Sequence, residues 1–144
     1  PYIVHQSSTT RISVIDKNRS HPIMSNVPKS TWDSEGTLYL TRLEGGCVPL
    51  LSGTGSGKGR LLQKDFGTIL VNQSEADIVA WTWQNEWSGK VVSTSLGHPA
   101  DFAEESFTRM LVNSTCWAVD KPLPAADAEI TTWKIERADK RPRK

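Results

Sequence analysis

Helical periodicity is confined to one stretch of this chain, and that restricts its possible folds more than any other feature. From about Ala103 to Val119, the residues Phe107, Met110, Leu111, Ser114, Trp117 and Ala118 recur at intervals of three and four. That spacing lays them along one core-facing stripe. Asp101 followed by Glu104, with Pro99 just upstream, predicts a capping box at the helix start. A single helix is too little to cover both faces of a parallel sheet.

The rest of the chain reads as short strands. Arg11–Ile15 alternates and is β-branched, and the turn-like Asp16–Ser20 and His21-Pro22 follow it. A residue before proline is pushed away from helical dihedrals, so His21-Pro22-Ile23 is expected to enter a loop. Leu38–Leu40 and Cys47–Leu51 are further strand candidates, separated by Gly45-Gly46. Pro49 predicts that the latter strand lies at an edge or begins late. Ser52 to Gly67 is rich in glycine without periodicity and predicts a long surface loop. Asp77–Thr82 and Lys90–Leu96 are the clearest strands.

Composition bounds the function classes. With 144 residues the chain fits one domain, able to bury roughly 68–70% of its unfolded surface. The charges nearly cancel, 17 Lys+Arg against 16 Asp+Glu, and 37% of residues are hydrophobic, which points to a soluble globular chain. No run approaches the roughly 20 apolar residues of a membrane span. The opening PYIVHQSS lacks the order of a secretion signal, so the chain is read as cytosolic or already processed. Cys47 and Cys116 form neither a CxxC pair nor a disulfide framework and read as small packed residues, with one bridge still open to them.

Few residues are placed for chemistry. Gly53–Gly59 invites a phosphate-loop reading, but position 52 is serine and Gly59 stands where the loop needs Ser or Thr after Lys58. A plain loop is the expectation. His5, His21 and His98 are too scattered for a metal motif, and no dinucleotide glycine pattern follows a predicted strand, so neither metal nor redox cofactor is indicated. His98, in Gly97-His98-Pro99, lies between a strand and a capped helix. There an imidazole can act as acid, base or donor, or simply tie the strand end to a loop. Trp81 and Trp83 share one strand face, with Trp87 close by, and can serve as a platform for a sugar or pack against another chain. Lys134, Arg137, Lys140, Arg141, Arg143 and Lys144 form a basic tail interrupted by Glu136 and Asp139, which predicts a solvated arm and no nucleic-acid binding. Asn72-Gln-Ser74 and Asn113-Ser-Thr115 fit the glycosylation pattern.

The order of several motifs resembles the ThuA-like, or trehalose-utilisation, domain. The matching pieces are His21-Pro22-Ile23, Trp32 with Glu35-Gly-Thr-Leu-Tyr39, Ala80-Trp81-Thr82, and Gly89 to Pro99 leading into Phe107–Ala118. The resemblance covers roughly residues 11–120, looks like the C-terminal half of that domain, and leaves 1–10 as a leading segment and 121–144 as a Pro-containing linker and basic tail. It implies an α/β fold of three layers with a mostly parallel sheet, like class I glutamine amidotransferases, completed by a second copy or a companion chain. The nucleophilic cysteine of the glutaminase relatives has no counterpart here.

Together these readings predict a carbohydrate-related protein that binds or transforms a sugar or keto-sugar. His98 and Glu35 are the candidate catalytic pair, and Tyr39, Trp81 and His21 the candidate ligand-binding residues. The catalytic version requires His98 and Glu35 to lie within hydrogen-bond or one-water reach. The alternative is a noncatalytic interaction or structural module within an oligomer, using the tryptophans.

Overall fold

A computed structural model describes residues 2–5, 9–36, 38–55, 60–63, 67–69 and 76–135. The chain builds β1 (Tyr2–His5), β2 (Thr10–Val14), β3 (Thr31–Ser34), β4 (Tyr39–Leu40), β5 (Val48–Gly55), β6 (Arg60–Gln63), β7 (Gly67–Ile69), β8 (Asp77–Gln84) and β9 (Lys90–Thr94). One α-helix, α1 (Glu105–Ala118), follows. Short 3-10 turns lie at Asp16–Asn18, Pro22–Met24 and Pro99–Ala103.

Five strands form the main sheet in the order β3-β2-β5-β8-β9, and four form a second sheet in the order β4-β1-β6-β7. Every described strand pair is antiparallel. This overturns the expected three-layer, mostly parallel amidotransferase-like sheet. The physical reason is the one helix: a parallel sheet needs cover on both faces, whereas an antiparallel one can leave a face open. The case for a partner completing a parallel sheet falls with it.

Alternation decides which face is covered. On β2, Thr10, Ile12 and Val14 are buried, and the register sets Ile12 opposite Trp32 and Gly53 and Val14 opposite Leu51. Two compensating irregularities on β5 and β8 enlarge this face. Between the pairs Pro49–Trp81 and Leu51–Ala80 the extra residue is Leu50, and between Leu51–Ala80 and Ser52–Ile78 it is Val79. Both extra side chains are fully buried, as expected where a bulge re-aims one residue toward the core. From α1, Phe107 and Met110 complete this core, joined by Ile23, Met24 and Val27 from the turn beside it. Each such side chain contributes about 1.5–3 kcal/mol by leaving water.

Several local expectations change. Pro49 sits in β5, a central strand, and is tolerated at its second residue because the bulge follows at once. Ser52–Gly55 is strand rather than loop, and so is Arg60–Gln63, while 56–59 and 64–66 lie outside the described residues. The phosphate-loop lysine Lys58 and the Asn72 glycosylation pattern also fall outside them. α1 starts two residues later than predicted. Glu104 is its cap, its carboxylate accepting the Ser106 N–H at 3.2 Å, and Asp101 caps the preceding turn instead.

After α1, Asp120 turns the chain at φ +55° and the segment 121–135 runs back over the helix. Arg109, almost wholly buried, donates from Nη1 to the Ala125 carbonyl at 3.3 Å and from Nη2 to the Ala128 carbonyl at 2.5 Å. The Trp133 N–H bonds the Phe102 carbonyl at 3.1 Å, and the two rings stack 5.9 Å apart. No helix among the described residues is long and apolar enough to cross a membrane.

Candidate functional site

His98 is set by its neighbours on both sides. Gly97 takes φ +132°, a conformation that favours glycine, and turns the chain out of β9. Asp101 Oδ2 then accepts the N–H groups of Gly97 and His98, each at 2.9 Å. The imidazole folds over the next turn, where Nδ1 accepts the Ala100 N–H at 3.2 Å. The same nitrogen lies 4.0 Å from Glu35 Oε2. The fold therefore brings the candidate pair together, within one-water reach. A nitrogen that accepts a main-chain N–H is already spent, however, and the proton of neutral His98 sits on Nε2.

The remaining candidates do not join them. His21 heads the Pro22–Met24 turn in the same way, Nδ1 accepting the Ile23 N–H at 3.3 Å, and its ring lies 5.2 Å from that of Trp117. Burial there lowers its pKa from the ordinary 6.5, favouring the neutral ring. Tyr39 lies on β4, half-buried, in register with Ile3. By alternation Trp81 points away from Ala80 and Thr82, to the face of the sheet opposite α1. No group of three or more His, Cys, Asp or Glu among the described residues is arranged to hold a metal. Asn113 is buried, with Nδ2 on the carbonyls of Ile23 (2.9 Å) and Ser25 (2.8 Å), so its amide is committed to packing and is closed to glycosylation in the folded chain.

The open face carries the second candidate site. Trp81 pairs across with Pro49 and Ser93, and Trp83 pairs with Val91. Alternate residues on one strand are about 7 Å apart, so the two indoles form a row. Trp83 is 40% exposed, Val91 42% and Trp87 80%. Trp87 owes its position to Asn85, whose Oδ1 collects the N–H groups of Trp87 (3.0 Å) and Gly89 (2.6 Å) and so shapes the β8–β9 turn. Beside the rings this face is lined by hydroxyls: Ser93 on β9, Ser52 and Thr54 on β5 and Ser13 on β2, with an Arg11–Asp33 ion pair at the far edge. Sequence parity alone pairs Trp81 with Trp83. Val91 and the hydroxyl row emerge only from the strand register.

No family model, curated protein or solved structure matches the chain. The class that fold and site define is a two-layer domain, an antiparallel sheet covered on one face by a helix and bearing an aromatic row on the other. The ThuA-like resemblance rests on the motif order alone.

Proposed function

We propose that this protein is a noncatalytic glycan-binding module whose working surface is the open face of the main sheet. The observation that carries this reading is the row of half-buried Trp81 and exposed Trp83 on the face opposite α1, with hydroxyl side chains alongside. A pyranose presents a flat C–H surface and a rim of hydroxyls. Rings and Ser/Thr groups on one plane complement both. Binding is favoured over reaction because His98 Nδ1 is committed to the Ala100 N–H, leaving Glu35 without a free imidazole nitrogen as partner.

The test is affinity electrophoresis of the full chain through gels holding soluble glucans, xylans or mannans, read beside tryptophan fluorescence. At least one polymer is expected to retard the protein, with Trp83→Ala weakening the interaction about tenfold and His98→Asn leaving it intact. The reading is abandoned if no polymer retards the protein or if Trp83→Ala has no effect. A second reading, docking against another protein chain, draws on the exposure of Trp87 at the hairpin tip. It predicts that Trp83→Ala or Trp87→Ala changes the size of the native particle with no glycan present.

A further inference from the structure

The two His-Pro dipeptides do the same local job at opposite ends of α1. In each, proline occupies the first position of a 3-10 turn and has no N–H, so the first orphan donor belongs to the following residue. The imidazole Nδ1 of the preceding histidine meets it: His21 takes the Ile23 N–H and His98 takes the Ala100 N–H. Both turns pack on α1. His21 lies against Trp117 in its last turn, and the His98 turn leads through Glu104 into its first.

We propose that His21 forms a proton-operated clasp on the Trp117 end of α1, closed while its Nδ1 is bare and opened when it is protonated. A protonated Nδ1 is a donor and cannot accept a main-chain N–H, so one proton turns a cap into a clash of two donors. At the other end of α1, His98 Nδ1 lies 4.0 Å from Glu35 Oε2 beside β3, and Asp101 on the same turn accepts the main-chain N–H groups of Gly97 and His98. Glu104, beyond that turn, is held by Lys29. Beside the Trp117 ring that His21 packs on, Lys90 of β9 has its ammonium 5.1 Å from the ring centre and pairs with Asp120, Lys121 lines the same pocket with Pro22, and Arg19 precedes His21 by two residues. Asp120 is already taken by Lys90, so the His21 turn loses its cap without gaining a carboxylate. Acid therefore loosens the Trp117 end of α1.

Nuclear magnetic resonance of the full chain tests this in two ways. Imidazole nitrogen spectra at pH 8 are expected to show both rings as the Nε2–H form with Nδ1 unprotonated. Amide exchange at Ile23, divided by the intrinsic rate at each pH, is expected to rise about tenfold between pH 7.5 and 5. His21→Asn supplies an acceptor that does not titrate and is expected to remove the pH dependence at this turn while keeping neutral-pH protection. An Nδ1–H tautomer at His21 overturns the clasp, and that measurement needs no variant to fold. So does exchange at Ile23 that does not change with pH, or a pH dependence that survives His21→Asn.

Discussion

Gly53 and Val79 approach so closely across the β5–β8 pair that a Cβ added to Gly53 would lie 2.7 Å from Val79 Cγ1, with Leu38 and Thr10 carbons at 3.0 Å. The glycine is there because the bulge at Val79 swings an extra side chain into the space a Cβ would fill. Gly53→Ala is expected to destabilise the protein by about 1–3 kcal/mol, since β-sheet backbone and buried side chains must both shift. Urea unfolding followed by tryptophan fluorescence reads this directly. A second change, Val79→Ala in the same background, is expected to recover part of the loss by vacating the contact.

Glu35 and His98 separate a cap from a catalytic pair. If the imidazole serves the turn, His98→Ala costs about 0.5–2 kcal/mol, and His98→Asn recovers most of it because an amide oxygen accepts the Ala100 N–H as well. Glu35 is two-thirds exposed and its contact is 4.0 Å long, so Glu35→Gln is expected to change stability by less than about 0.5 kcal/mol. Denaturant midpoints of the three variants at pH 7.5 check the order. A loss on Glu35→Gln as large as that on His98→Ala would return the pair to consideration as a coupled site.

These relationships explain what could be read in the sequence. The stripe Phe107, Met110, Leu111 is visible because a helix repeats its face over four turns, the strand at 10–14 because buried and exposed residues alternate along it, and those at 77–84 and 90–94 because β-branched and aromatic residues gather there. The second half of β5, Ser52–Gly55, is hidden because Gly53 and Gly55 face the core, where missing side chains are what the packing requires, so that stretch looks like a loop. Sheet direction is hidden too. It follows from how much cover the chain can supply, and a resemblance in motif order supplied the wrong topology for a chain with one helix. At the candidate site, the closeness of His98 and Glu35 was a condition the sequence could only name. Their use as cap and neighbour depends on Pro99 removing one donor and exposing the next.

Acid stability is expected to fall in two steps. Burial lowers the His21 pKa below 6.5, so between that lowered value and 6.5 the unfolded chain holds a proton the folded one does not, and stability rises with pH across that window. Above 6.5 the contribution is complete and flat. For Glu104, burial alone would raise the pKa, but hydrogen bonds from Lys29 and Ser106 outweigh it and the net shift is downward from 4.5. Its contribution is therefore present above 4.5 and lost as pH falls toward the depressed value. Thermal midpoints from pH 3.5 to 8 are expected to show both steps, with His21→Asn removing the upper one and Glu104→Gln the lower.

The segment 121–135 depends on Arg109 more than on its own side chains. A guanidinium taken almost wholly from water needs its donors met. Here the Nη groups reach two carbonyls of a segment without regular structure, Nε has no partner among the described residues, and Glu105 stands 3.9 Å away in an exposed position. The charge is thus stabilised chiefly by main chain that stays in place only while the arginine holds it. Arg109→Met keeps the stem's packing and removes the donors. It is expected to cost about 1–3 kcal/mol and to release Trp133, already half exposed, from Phe102, so that its acrylamide quenching increases while the α1 core residues Phe107 and Met110 remain packed. Quenching compared in Trp133→Phe and in Arg109→Met with Trp133→Phe isolates that tryptophan. Equal quenching with and without Arg109 would mean that the Phe102 stack and the Trp133 N–H bond hold the segment by themselves.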